Sequence, residues 1–277
     1  MNECIIAIAC LGGIGLILAV ILYFVSKKFA VEADSRIDEI AEILPKANCG
    51  GCGYPGCKGF AEACVKANSL VGKNCPVGGA STMAKVAQIL GLEASDVKPQ
   101  IAVVRCQGDC THRTRTNHYD GAKKCALASD IYGGETDCSY GCLGYGDCVE
   151  ACLFDAISID PSTLLPIVDE TRCTSCGACV KACPKQLIEL RPKGPESRRI
   201  YVSCINKDKG PVARKACNVA CIGCGICVKK CSFDAITVAN HLAYIDPEKC
   251  TLCHECVEAC PQHSIVALHF SNSTELC

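Results

Sequence analysis

The first long pattern in the chain is an unbroken apolar run. From Ile5 to Val25 there is no charged residue; Glu3 precedes the run and Lys27 and Lys28 follow it. At about 1.5 Å per residue the run reaches roughly 30 Å, the thickness of a bilayer's hydrocarbon layer. A cleaved signal would carry basic residues before the run rather than after it. The pattern therefore predicts a retained transmembrane helix over residues 1–28, in the membrane through residues 5–25. The lysines behind it place the remainder on the cytoplasmic side of the cell's inner membrane. Gly12, Gly13 and Gly15 would let a partner helix approach closely, and ordinary glycine usage explains them equally well.

Beyond the run the spacing of apolar positions becomes helical. Over residues 32–44, Ile37, Ile40, Ile43 and Leu44 share one face; Asp34 or Ser35 can cap this helix and Pro45 stops it. A second helix is expected from Ser81 to Leu90, ended by Gly91. Residues 92–99 read as a linker, and the apolar run at 101–106 as a buried strand opening a new domain. Later apolar runs are short: "AISID" and "AITVA" each lead through a turn into a second short strand.

Composition changes the picture. The chain of 277 residues contains 29 cysteines and no tryptophan. Large aromatic cores are therefore excluded, and the cysteines must hold much of the structure. With the cytoplasmic orientation, all but Cys4 and Cys10 lie in a reducing compartment, where thiols bind metal rather than form disulfides. A net charge of −1 makes no case for nucleic acid as a partner.

The cysteines repeat. Cys125, Cys138, Cys142, Cys148 and Cys152 recur as Cys204, Cys217, Cys221, Cys227 and Cys231 at a fixed offset, so the chain carries two copies of one supersecondary unit. Cys173, Cys176, Cys179 and Cys183 close the first copy; Cys250, Cys253, Cys256 and Cys260 close the second. Three of the four runs have the spacing C-x2-C-x2-C-x3-C of two-cluster ferredoxins, in which the fourth cysteine ligates the other cluster of the pair. Structural zinc uses pairs of cysteines set farther apart, which fits these runs poorly. The spacing thus points to [4Fe–4S] clusters. The second copy would hold Cys221, Cys224 and Cys227 with Cys260, and Cys250, Cys253 and Cys256 with Cys231. An upstream set, Cys49, Cys52, Cys57 and Cys75, sits among glycines that permit a tight wrap and reads as a separate cluster. Cys64 reads as a buried helix thiol, and no histidine has ligand spacing.

The fourth run, "CLGYGDCVEAC", has Tyr145 where its copy has Cys224. One reading lets Cys138 fill the gap, so that Cys138, Cys142, Cys148 and Cys183 hold one cluster while Cys152 joins Cys173, Cys176 and Cys179. A rival reading groups Cys106, Cys110, Cys125 and Cys138 as a further cluster, leaving the Tyr145 site with three thiolates. The total is five clusters, or six. The fold class that results is α+β: the membrane helix, a small helical cluster module (29–92), and two tandem two-cluster ferredoxin-like domains (100–190, with a cysteine-rich lead-in, and 191–270).

Taken together, the anchor, the "CGGCGYPGC" module and the paired runs resemble the B subunits of the Rnf complexes, membrane-bound ion-translocating ferredoxin:NAD oxidoreductases. The resemblance covers essentially the whole chain. It implies an electron relay that accepts electrons from reduced ferredoxin and passes them to membrane subunits, NAD being reduced elsewhere. It also implies an alternative, reduction of a redox-sensing regulator. An autonomous iron–sulfur oxidoreductase or a zinc scaffold are further readings. No phosphate-binding loop occurs, so no nucleotide or flavin site is expected, and a membrane helix with no charge inside it offers no ion path. Residues 191–215 are basic (Arg191, Lys193, Arg198, Arg199, Lys207, Lys209, Arg214, Lys215) and read either as a docking face for an acidic ferredoxin or as a solvated or lipid-facing linker.

Overall fold

The computed structural model describes residues 2–28, 34–93, 98–131 and 133–270. The apolar run forms one continuous helix, α1 (Asn2–Lys28). Its side chains are described from Gly12 to Val25, and the large apolar ones, such as Leu16, Leu22 and Phe24, are exposed. Cys4 and Cys10 have side chains outside the described residues, as does Cys277. Among the described residues no helix is both long and apolar enough to cross a membrane.

The helical module follows: α2 (Ser35–Ile43), α3 (Gly56–Ala67) and α4 (Gly79–Leu90). Asp34 caps α2 by accepting the Arg36 N–H at 3.0 Å. Gly91 closes α4 in the left-handed conformation, φ 66°. Of the predicted face of α2, Ile40 and Leu44 are buried, against Phe60, Val65, Met83 and Val86. Cys64 lies in the same core with no exposure, and burial pushes its thiol up to about 11.

The remaining chain folds as two units of the same plan. The first contains β1 (Gln100–Val104), α5 (Cys125–Ile131), α6 (Asp147–Glu150), β2 (Ile157–Ile159), β3 (Pro166–Val168), α7 (Ala178–Ala182) and β4 (Ile188–Pro192). The second contains β5 (Arg199–Val202), α8 (Gly210–Ala216), α9 (Ile226–Lys230), β6 (Ile236–Ala239), β7 (Leu242–Ile245), α10 (Glu255–Glu258) and β8 (Ile265–Leu268). In each, the first strand pairs antiparallel with the last and the two middle strands form a hairpin. Val104 lies opposite Ile188, and Val202 opposite Ile265.

The alignment of the two units differs from the fixed offset in one respect. Just past β1, the Arg105 N–H bonds the Leu187 carbonyl; just past β5, the Ser203 N–H bonds the Ser264 carbonyl. The next residues are Cys106 and Cys204. In space, therefore, Cys204 matches Cys106 rather than Cys125. Cys138 and Cys217 keep their correspondence, but the connection from Cys106 to Cys138 is longer than that from Cys204 to Cys217, and its extra length contains α5.

The two units share a buried face. Ala102 and Val104 pack into the first unit's core, while Ile101 and Val103 pack on Tyr201 of the second. This explains why the run at 101–104 is apolar throughout rather than alternating. Arg191 and Arg199, expected in an exposed basic patch, are 2% and 4% exposed and belong to this seam. Arg191 pairs with Glu189, bonds the carbonyls of Ile200 (3.3 Å) and Ile245 (3.0 Å), and lies over the Tyr201 and Tyr244 rings. Arg199 pairs with Glu170 of the first unit. These guanidiniums are inside because each finds a carboxylate or a set of carbonyls there. Lys207, Lys209, Arg214 and Lys215 lie outside this seam, toward solvent.

Candidate functional site

Each of the four ferredoxin-type runs begins as a loop that needs left-handed backbone at fixed places. The third position is Gly144, Ser175, Gly223 or Leu252, with φ between 54° and 76°; the fifth is Gly146, Gly177, Gly225 or His254, with φ between 71° and 87°. A further left-handed residue stands three places after the last cysteine of each run: Asp155, Gln186, Asp234 and His263. Such turns draw backbone N–H groups to the inner side of the loop, where they meet sulfur. The Ala156, Leu187 and Ser264 N–H groups stand 3.4 Å from the sulfurs of Cys152, Cys183 and Cys260. His254 takes a conformation that the other three runs assign to glycine, and its ring lies 5.2 Å from that of Phe270.

The cysteines gather in fours. Cys49, Cys52, Cys57 and Cys75 line a cavity of about 320 Å³ in the helical module. Cys221, Cys224, Cys227 and Cys260 line one of about 360 Å³, and Cys231, Cys250, Cys253 and Cys256 one of about 320 Å³. Cys152 joins Cys173, Cys176 and Cys179: burial pushes the Cys179 thiol up to about 11, and Cys173, Cys176 and Cys152 push it in the same direction. Among the described residues no three His, Cys, Asp or Glu side chains could hold a single metal ion.

The Tyr145 run is where expectation and structure part. Its cavity, about 390 Å³, is lined by Cys142, Cys148, Cys183 and Cys125. Cys138 does not fill the gap. Asp147 accepts the N–H groups of Cys125 and Ala126 at 2.8 and 2.9 Å, and so fastens the start of α5 to the loop. Burial, together with the nearby Cys125 and Cys183, pushes the Cys148 thiol up to about 12. The rival grouping of Cys106, Cys110, Cys125 and Cys138 is not formed either. Cys110 is exposed and donates to the Ser162 carbonyl at 3.4 Å. Cys138 instead lines a separate cavity, of about 300 Å³, with Cys106, Cys204 and Cys217. Sequence reasoning missed Cys125 in the first of these cavities and Cys204 and Cys217 in the second. The available signal was the surplus of cysteines in the connection before Cys138.

The sites adjoin. A Cβ on Gly51 would come within 2.7 Å of the Cys176 carbonyl oxygen, so the helical module rests directly on the first unit. Cys148 feels Cys179 across that unit, and Cys256 feels Cys227 across the second.

The chemistry of these sets fits iron–sulfur clusters: four soft donors, and N–H groups turned toward sulfur. Family comparison agrees. Residues 44–77 match the family described as "Putative Fe-S cluster", and residues 136–188 and 220–264 match 4Fe-4S dicluster domains. The chain is 46% identical over 265 residues to the B subunit of the Na(+)-translocating ferredoxin:NAD(+) oxidoreductase complex of Acetobacterium woodii, covering 96% of this chain and 78% of that one. It is 43% identical to the proton-translocating counterpart of Clostridium ljungdahlii (97% and 94% covered). It is 41% identical to the B subunit of the ion-translocating oxidoreductase complex of Methanosarcina acetivorans (94% and 96% covered).

Proposed function

Because this chain belongs to the family of B subunits of the Rnf-type ion-translocating ferredoxin:NAD(+) oxidoreductase complexes, we propose that it relays electrons from reduced ferredoxin to the membrane subunits of such a complex. The observation that carries this reading is the adjacency of the cysteine sets. Cys49, Cys52, Cys57 and Cys75 adjoin the Cys152 set through the Gly51–Cys176 contact, and within each unit the two sets feel one another.

A [4Fe–4S] cluster supplies one-electron chemistry without proton or group transfer. The protein's part is to bind, insulate and orient. Cys49, Cys52, Cys57 and Cys75 would hold one cluster. Cys125, Cys142, Cys148 and Cys183 would hold a second, and Cys152, Cys173, Cys176 and Cys179 a third. Cys221, Cys224, Cys227 and Cys260 would hold a fourth, and Cys231, Cys250, Cys253 and Cys256 a fifth. Apolar side chains such as Ile159, Ile188 and Ile265 line these cavities beside the cysteines. The domains carrying these sets would be the module to residue 92, a first ferredoxin-like unit from 100, and a second to 270. That β4 runs to Pro192 supports a boundary between the units after it.

The same reading makes α1 the membrane anchor, with the cluster domains on the cytoplasmic side. It is supported by the charge-free run from Ile5 to Val25, the continuity of the helix, and the exposure of its described apolar side chains.

The test is anaerobic stopped-flow mixing of the full chain, in detergent, with chemically reduced ferredoxin. Rapid bleaching of the visible sulfur-to-iron absorption supports the relay. Clusters that dithionite bleaches and ferredoxin leaves untouched would overturn it. Removal of residues 1–28 should release the chain from membranes; retention on them would overturn the anchor.

A further inference from the structure

We propose a sixth [4Fe–4S] site, held by Cys106 and Cys138 of the first unit and Cys204 and Cys217 of the second, which joins the two ferredoxin-like halves into one electron path.

The four thiols line a cavity of about 300 Å³. Cys138, Cys204 and Cys217 are buried, between 6% and 9% exposed. Cys106 and Cys204 occupy matching places, each two residues beyond the first strand of its unit and anchored by the same N–H-to-carbonyl bond. Cys138 and Cys217 match as well, each four residues before the first cysteine of a run. Each unit thus contributes the same two cysteines to one cavity between the units. Four free thiols placed in this way have no other evident role. Four free cysteines gathered around one cavity are the donor set that a cluster takes.

The walls fit an anionic group. Arg113 is 5% exposed, and its Nε lacks a hydrogen-bond partner. Its Nη1 donates to the Cys142 carbonyl at 2.7 Å, and no carboxylate pairs with it in the ion pairs described. The fully buried Asn206 points its amide Nδ2 at the Cys138 sulfur, 3.6 Å away, and the Asn206 N–H meets the Cys204 sulfur at 3.4 Å. Gly108 is required here: a Cβ would come within 2.8 Å of the Cys217 sulfur and 3.1 Å of the Arg113 side chain. A guanidinium and N–H donors turned to sulfur are what a negatively charged cluster would need in this place.

The location supplies the role. Gly141 and Ala220, which line this cavity, directly precede Cys142 and Cys221 of the nearer sites in the two units. This site lies where the two halves meet, lined by residues of both. With it, six sites form a single row from the helical module to Cys231, Cys250, Cys253 and Cys256. One electron passing along the row reduces each site as it oxidises the neighbour, with no bond or proton involved. The reductant is the ferredoxin of the proposed function, on which this inference rests.

The test is iron, acid-labile sulfide and zinc per full chain after anaerobic purification. The wild type, Cys204→Ser and Cys217→Ser are compared with Cys110→Ser, an exposed thiol outside all six sets. The wild type and Cys110→Ser should hold about 24 iron atoms, and the other two about 20, at four iron per cluster. About 20 in the wild type, or zinc displaced by the Cys204 and Cys217 substitutions, would overturn the proposal. The wild-type count decides even if a variant fails to fold. It is also independent of the relay reading, which fails instead if the clusters present are not reduced by ferredoxin.

Discussion

The Asp147 carboxylate holds the backbone N–H of Cys125 at 2.8 Å and that of Ala126 at 2.9 Å. Asp147 lies two places after Tyr145, at the start of α6, just beyond the loop that lacks a cysteine. The residue that ties down the replacement thiol thus sits next to the gap. Tyr145 is turned aside, its ring 6.3 Å from that of Tyr119. Cys125→Ser should therefore lose about four iron atoms per chain. Tyr145→Cys in that background should restore them, because it rebuilds the ligand spacing of the other runs. Asp147→Ala should keep the iron at first and lose it faster to a chelator. Unchanged iron in Cys125→Ser would refute the assignment.

The seam between the units should depend on Arg191. It is 2% exposed and satisfied by Glu189 and two carbonyls. Removing one side of such a buried network costs about 3–5 kcal/mol. Arg191→Met should lower the anaerobic melting temperature by several degrees, and Arg191→Lys should recover only part of the loss, because lysine lacks the planar fork. A melting curve identical to wild type in Arg191→Met would show that the network contributes nothing net.

His254 occupies a left-handed position, φ 71°, that glycine fills in the other three runs. A side chain there costs on the order of 1 kcal/mol. His254→Gly should keep full iron content and melt slightly higher, offset in part by the lost contact with Phe270. His254→Val should melt lower, since a β-branched residue tolerates this conformation least. A fall in both variants would mean that the imidazole, rather than the backbone, matters most.

Removal of iron should act unequally along the chain. The ferredoxin-like units contain only two-stranded sheets, which are marginal alone, and many of their buried side chains are cysteines. The helical module has a core of its own around Ile40, Phe60, Met83 and Val86. After chelation under anaerobic conditions, limited proteolysis should cut first between residues 98 and 270 and spare α2 to α4. Equal cleavage throughout would show that the module also depends on its metal.

The local features of this chain were legible because they depend on neighbours in sequence. A charge-free run of helical length became α1, and Asp34 and Gly91 ended helices as their chemistry requires. The three regular cysteine runs each form a loop with left-handed backbone at the same places, and in the second unit Cys231 and Cys260 each line the cavity of the other run. The partnership of Cys125 with Cys142, and that of Cys106 and Cys138 with Cys204 and Cys217, could not be read in this way. In sequence, Cys125 and Cys204 share an offset; in the fold they do not correspond, because a longer connection in the first unit carries α5 and frees Cys125 to fill the place that Tyr145 leaves. Two members of the basic stretch could not be placed from sequence for the same reason. Arg191 and Arg199 look exposed by composition, yet their partners Glu189 and Glu170 and the facing carbonyls exist only once β4 and β5 pack together. Ligand spacing within a loop is a property of the covalent chain. Which loops face each other across a cavity depends on how two units bury their shared strands, and that packing assembles the sixth set of cysteines.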